Sequence, residues 1–190
     1  MAGKKNISFN KLQKVKEHLT SKKDSHPRRI GVVIDGPNML RKEFSINLYE
    51  IRDILVNYGD IKVAKVFLNQ YAGVKLVEAV EAQGFTPVIT SGDVSVKMAV
   101  ESMEMVYNDA IDTIALVTRD ADFKSVLNKA METGKETIII GIQPGFSTAL
   151  KNHSDIAVIL KDEDFEEYEE VTDTDVTSEP VDTEDMNNFR

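Results

Sequence analysis

The sequence predicts an α/β domain in three layers, with helices on both faces of a mainly parallel central sheet of about five or six strands. The first observation behind this is alternation. Strand-like and helix-like stretches succeed one another along most of the chain, and crossovers of this length favour parallel strands. The second is a pair of uncharged apolar runs, residues 30–34 and 113–117. Runs without polar alternation mark strands buried on both faces. The third is the polar cluster that ends each run: Asp35-Gly36-Pro37-Asn38 after the first, Thr118-Arg119-Asp120-Ala121-Asp122 after the second. In open α/β sheets ligands bind beyond the carboxyl ends of the strands, so both clusters fall where chemistry is expected.

Each element has its own signal. A short helix is expected over 8–19, where Phe9, Leu12, Val15 and Leu19 fall near three-and-four spacing. Lys11, Lys14 and Lys16 lie among them, as suits a nucleic-acid arm or a partly docked surface helix. Residues 20–29 read as a linker. The first strand covers 29–34, and Asn47 caps a helix over 48–58. A strand over 61–68 and a helix over 73–83, stopped by Gly84, come next. Residues 85–90 make a strand that Pro87 confines to an edge. Ser91-Gly92-Asp93 leads into a helix over 94–108, in which Met98, Met103 and Met105 fill core. The fourth strand covers 113–117. Asp122 then caps a helix running to 132. Residues 137–140 form a strand, 141–146 a loop, and Ser147 caps a short helix before the last strand, 156–160.

Three regions differ in charge. Residues 1–29 carry +7, residues 30–160 carry −5 and residues 161–190 carry −11, which together give the chain's −9. The reading is a basic N-terminal extension over 1–28, a folded domain over 29–162 and an acidic disordered tail over 163–190. The basic head suits a polyanion; the tail repels one. Head and tail can also attract each other, within or between chains, so a homo-oligomer stays open. No apolar run approaches a membrane span of roughly 18 residues. The N-terminus has no apolar leader, so a cytoplasmic protein without membrane attachment is expected.

Cysteine is absent, which removes disulfides and thiolate chemistry. His18, His26 and His153 show no ligand spacing. A cation held by oxygens is therefore magnesium or manganese in character. No Gly-rich phosphate loop with Lys-Ser/Thr is present, and Gly31 to Gly36 does not match a dinucleotide fingerprint.

Asp35, Asp120 and Asp122 at two buried strand ends repel one another if left bare, and a divalent cation relieves that repulsion. Asp35 either holds such a cation or satisfies loop amides. Asn38 either contacts a scissile phosphate or braces the loop. Asp122 can cap a helix and bind metal at once. Thr118 offers a hydroxyl to phosphate or to Asp120, and Arg119 clamps phosphate or makes a surface ion pair. On the helix between, Glu101 lies near Met98 and Met105, so a carboxylate there needs a reason. Asp93 at the helix mouth is a further metal candidate, and Lys97 can reach a substrate phosphate or lie exposed.

The segments 33–38 (Val-Ile-Asp-Gly-Pro-Asn), 99–101 (Ala-Val-Glu) and 111–123 (Ile-Asp-Thr-Ile-Ala-Leu-Val-Thr-Arg-Asp-Ala-Asp-Phe) together resemble the NYN domain family, a branch of PIN-like nucleases, and most closely an archaeal group. The resemblance covers residues 29–160. It implies a PIN-like Rossmannoid fold and metal-dependent hydrolysis of RNA, with magnesium or manganese as cofactor. It maps the family acids to Asp35, Asp120 and Asp122, with Asn38 assisting and Glu101 as a helix acid. Thr118 and Arg119 replace the Ser-Gly common in the second motif. Ser95 stands where many relatives carry Asp, and Asp93 is the candidate substitute. The expected activity is that of an endoribonuclease. The alternatives are a non-catalytic RNA-binding or regulatory module and a metal-dependent phosphatase.

Overall fold

The computed structural model describes residues 27–40, 46–143, 145–161 and 169–171. The helix expected over 8–19, and the acidic tail except 169–171, lie outside the described residues.

The sheet is doubly wound. Strands β1 (Arg29–Asp35), β2 (Asp60–Asn69), β3 (Thr86–Thr90), β4 (Thr113–Val117), β5 (Glu136–Gln143), β6 (Ile156–Lys161) and β7 (Glu169–Val171) lie in the order β3-β2-β1-β4-β5-β6-β7. All neighbours are parallel except β6 and β7. From β1 the chain winds outward through β2 to β3. It then returns across the sheet to β4, on the other side of β1. The switch point of the topology therefore lies between the carboxyl ends of β1 and β4, where Ile34 pairs with Val117.

Alternation along the buried strands sorts side chains to two faces. Val32 and Ile34 point to the face covered by α2 (Leu48–Val56) and α3 (Val74–Ala82), meeting Ile51, Leu55 and Val80. Val33, Phe67 and Leu116 point to the other face. There α4 (Val94–Val106) supplies Met98 and Met105, α5 (Lys124–Glu132) supplies Leu127, and α6 (Thr148–Lys151) supplies Leu150. These side chains are at most 4% exposed, and each is worth about 1.5–3 kcal/mol of burial. Met98 and Met105 fill core as expected, and Met103 packs partly buried against it. Pro87 sits in β3 at the sheet edge, as expected of a residue without an N–H to give to a ladder.

Four local expectations differ from the structure. The stretch after β1 is not only loop: Gly36–Met39 forms one helical turn, α1, with Pro37 in its first positions. Asp122 does not cap the helix after β4. Asp120, still extended at the strand end, accepts the Asp122 N–H at 3.0 Å, and a 3-10 turn (Ala121–Phe123) precedes α5. Two acids one residue apart offer two cap positions, and the one nearer the strand takes the role. The strand expected over 137–140 runs on to Gln143, where it pairs with β6, and Gly141 leaves room for the Phe146 ring beside it. Finally, β7 lies beyond residue 162, inside the stretch read as disordered tail.

Candidate functional site

The site is built around Asp35. Its side chain is 1% exposed at the end of β1, on the sheet face that carries Val33. Oδ2 accepts the Asn38 side-chain amide at 2.7 Å and the Thr118 hydroxyl at 2.9 Å; Oδ1 accepts the Asn38 N–H at 3.3 Å. In all three contacts the carboxyl oxygens accept. The donors are neutral. Among the described residues no lysine, arginine or histidine pairs with Asp35. A buried carboxylate without a counter-charge is costly, and these three donors offset part of that cost.

Thr118 joins the two strand ends. Its hydroxyl is fully buried; it donates to Asp35 and accepts the Asp120 N–H at 3.1 Å. Asp120 is half-buried one step away, and Asp122 is exposed on the following turn. Gly36 lets α1 sit close on β2, since a Cβ there would strike the Phe67 carbonyl oxygen and Leu68. This close seating holds Asn38 over Asp35.

The structure places the other expected residues around this pair. Asp93 is exposed and caps α4, accepting the N–H groups of Ser95 at 2.8 Å and Val96 at 3.1 Å. Glu101, two turns further along α4, pairs with Lys65 of β2 and with Lys97 at 2.6 Å. Lys65 first, and then Lys97, hold its carboxyl below the usual range, and Glu101 raises Lys97 in return. The Arg119 guanidinium lies against Gly145, whose φ of +93° shapes the loop between β5 and α6. Gln143 fixes that loop by accepting the Gly145 N–H at 3.1 Å.

Lys65 was not legible as part of this arrangement. Its signal is parity: it shares a strand face with Phe67, a core position, so it needs a partner. Glu101 meets that need.

Among the described residues no three acidic or histidine side chains gather closely enough to form a metal group. Thr118 links the Asp35 carboxylate to the backbone N–H of Asp120, and Asp122 and Asp93 form no three-acid group with these two. This donor set does not suit an all-protein cage. A hydrated magnesium or manganese ion asks for less, since it takes one or two carboxylates and completes its shell with water and substrate phosphate.

A buried aspartate at the switch point of a doubly wound, mainly parallel sheet is consistent with a PIN-like Rossmannoid domain. The NYN domain model matches residues 29–165, and the chain belongs to that family, within the PIN-like nuclease superfamily. An uncharacterized protein of Methanocaldococcus jannaschii is 54% identical over 161 residues, which is 83% of this chain and 66% of that protein. The chain thus spans about two thirds of that relative's length. A crystal structure of a protein of unknown function from Vibrio parahaemolyticus matches with a TM-score of 0.64 at 15% identity, covering 77% of this chain and 99% of that one. That likeness concerns the fold. No helix among the described residues is long and apolar enough to cross a membrane.

Proposed function

We propose that this protein is a divalent-cation-dependent ribonuclease that hydrolyses phosphodiester bonds of RNA. The observation that carries the reading is the buried Asp35 carboxylate, held by neutral donors at the switch point and joined through Thr118 to Asp120. Asp35 and Asp120 would hold magnesium or manganese, with Asp122 and Asp93 at the exposed margin. Such an ion, when bound, activates water and offsets charge developing on phosphate.

The chain's own residues do the positioning. Asn38 and Thr118 fix the Asp35 carboxylate in one orientation. Arg119, braced by Gly145, and Lys97, oriented by Glu101, supply positive charge for a substrate phosphate. Glu101 acts through Lys97 and is a positioning residue. The basic N-terminal extension adds charge attraction for RNA, an interaction that weakens as salt rises.

The test is cleavage of a panel of single-stranded and structured RNAs with manganese, comparing the wild type with Asp35→Asn and Asp120→Asn. Cleavage lost in both variants supports the reading; equal cleavage in all three proteins overturns it. A second reading, an RNA-binding module without turnover, draws on the same absence of a three-acid group among the described residues. It predicts RNA binding that survives both substitutions, with no cleavage and no cation affinity in any of the three proteins.

A further inference from the structure

Helix α4 is apolar on two sides. Met98, Ser102 and Met105 are buried on the side that packs against the sheet. Val96 and Val100, with Tyr107 at the helix's C-cap, are 63%, 53% and 63% exposed. Together with the partly buried Met103 they follow one another at steps of four, three and four residues. That spacing sets the four side chains in one row, the a/d seam of a coiled coil. A surface helix ordinarily turns charged and polar residues toward solvent, so an apolar row there is a contact surface. The sheet already holds α4 in place, so no helix has to be ordered when the row is covered.

The charges beside the row identify what covers it. With Val96 and Met103 as d and Val100 and Tyr107 as a, the two e positions are Lys97 and Glu104, of opposite sign. Glu104 is exposed, and the Lys97 side chain reaches the surface. The g positions, Ala99 and Val106, carry no charge. A parallel pair of helices sets e against g and would leave both charges unmatched. An antiparallel pair about a two-fold axis sets e against e, so each charge meets its opposite in the other copy.

We propose that this protein pairs with a second copy of itself through α4, antiparallel, with Lys97 of each chain opposite Glu104 of the other. The apolar row agrees with this register. Val96 falls opposite the partner's Tyr107 and Val100 opposite the partner's Met103, a small side chain against a large one in every layer. The Lys97 ammonium has three donors, so its bond to Glu101 persists beside the one it gains. The pairing does not depend on the nuclease reading.

The test is sedimentation of the full-length chain over about a hundredfold range of concentration, since self-association follows mass action. The wild type should pass from one chain mass to two. Val100→Lys, a change at an exposed position, should keep the fold by circular dichroism and weaken pairing at least about tenfold. Glu104→Lys should weaken it too. Adding Lys97→Glu to that variant should recover most of the loss, because the exchanged charges still face each other. A wild type that stays a monomer overturns the proposal and leaves the row to a different partner. Pairing that Val100→Lys leaves unchanged puts the contact elsewhere and overturns it as well. Glu104→Lys without effect, or a double variant that pairs no better than Glu104→Lys alone, overturns the antiparallel arrangement.

Discussion

Thr118 and Asp35 lie 83 positions apart, yet the Thr118 hydroxyl meets the Asp35 carboxylate at 2.9 Å with both groups buried. The contact has a direction. Because Thr118 accepts the Asp120 N–H, its own hydrogen is aimed at Asp35. One methyl-bearing hydroxyl thus sets the relative position of the two strand ends.

Thr118→Val keeps shape and removes the hydroxyl. It leaves the Asp120 N–H without this acceptor and takes one donor from Asp35, at a cost of about 1–3 kcal/mol. Denaturant unfolding should show a lower midpoint with an unchanged slope, and manganese-dependent cleavage should fall. Thr118→Ser should retain most of both.

Glu101→Gln separates a positioning role from a ligand role. Lys65 is three-quarters buried and would lose its carboxylate partner. Thermal unfolding should shift down by a few degrees. Cleavage should persist with a raised KM, because Lys97 is no longer oriented. If kcat collapses while stability is unchanged, Glu101 touches the reacting groups itself.

The Arg29–Asp112 pair predicts a pH dependence. The Arg29 guanidinium, bonded at 2.7 and 2.8 Å, is the main cause holding the Asp112 carboxyl down at about 2, against an ordinary value of 3.8. A carboxyl with a depressed folded value stabilises the fold above its unfolded value, and that stabilisation is lost as pH falls through the folded value. The stability difference between wild type and Asp112→Asn should therefore be constant above about pH 4 and shrink toward pH 2. Both side chains are about two-fifths exposed, so the difference should be small and should weaken with salt.

Gly141→Ala tests the brace behind Arg119. A Cβ at 141 would enter the Phe146 ring, and Phe146 belongs to the loop whose Gly145 lies against Arg119. The substitution should cost about 1–3 kcal/mol by overpacking. It should also weaken RNA binding more than an alanine at Gly73, which meets nothing within 4 Å.

How much of this was legible depends on the physics of each residue. The strands and their two aspartates were readable because parallel strands buried on both faces leave uninterrupted apolar runs, as in 30–34 and 113–117. Asn47 was readable because a cap needs only its own side chain and the next N–H groups. The role of Asp120 was not, since Asp120 and Asp122 carry the same side chain and only the backbone angle at the strand end decides between them. The ties of Glu101 were hidden because Lys65 comes from a strand 36 positions away, and pairing at that distance depends on how α4 crosses the sheet. Strand β7 was illegible because Glu169 and Glu170 carry no apolar alternation; the free edge of β6 recruits their backbone instead.

The most direct test of the shared cation site is calorimetric titration with manganese of the wild type, Asp35→Asn and Asp120→Asn. One site in the wild type, weakened at least about tenfold by either substitution, is the predicted result. Manganese affinity that is absent from the wild type, or is the same in all three proteins, would contradict it.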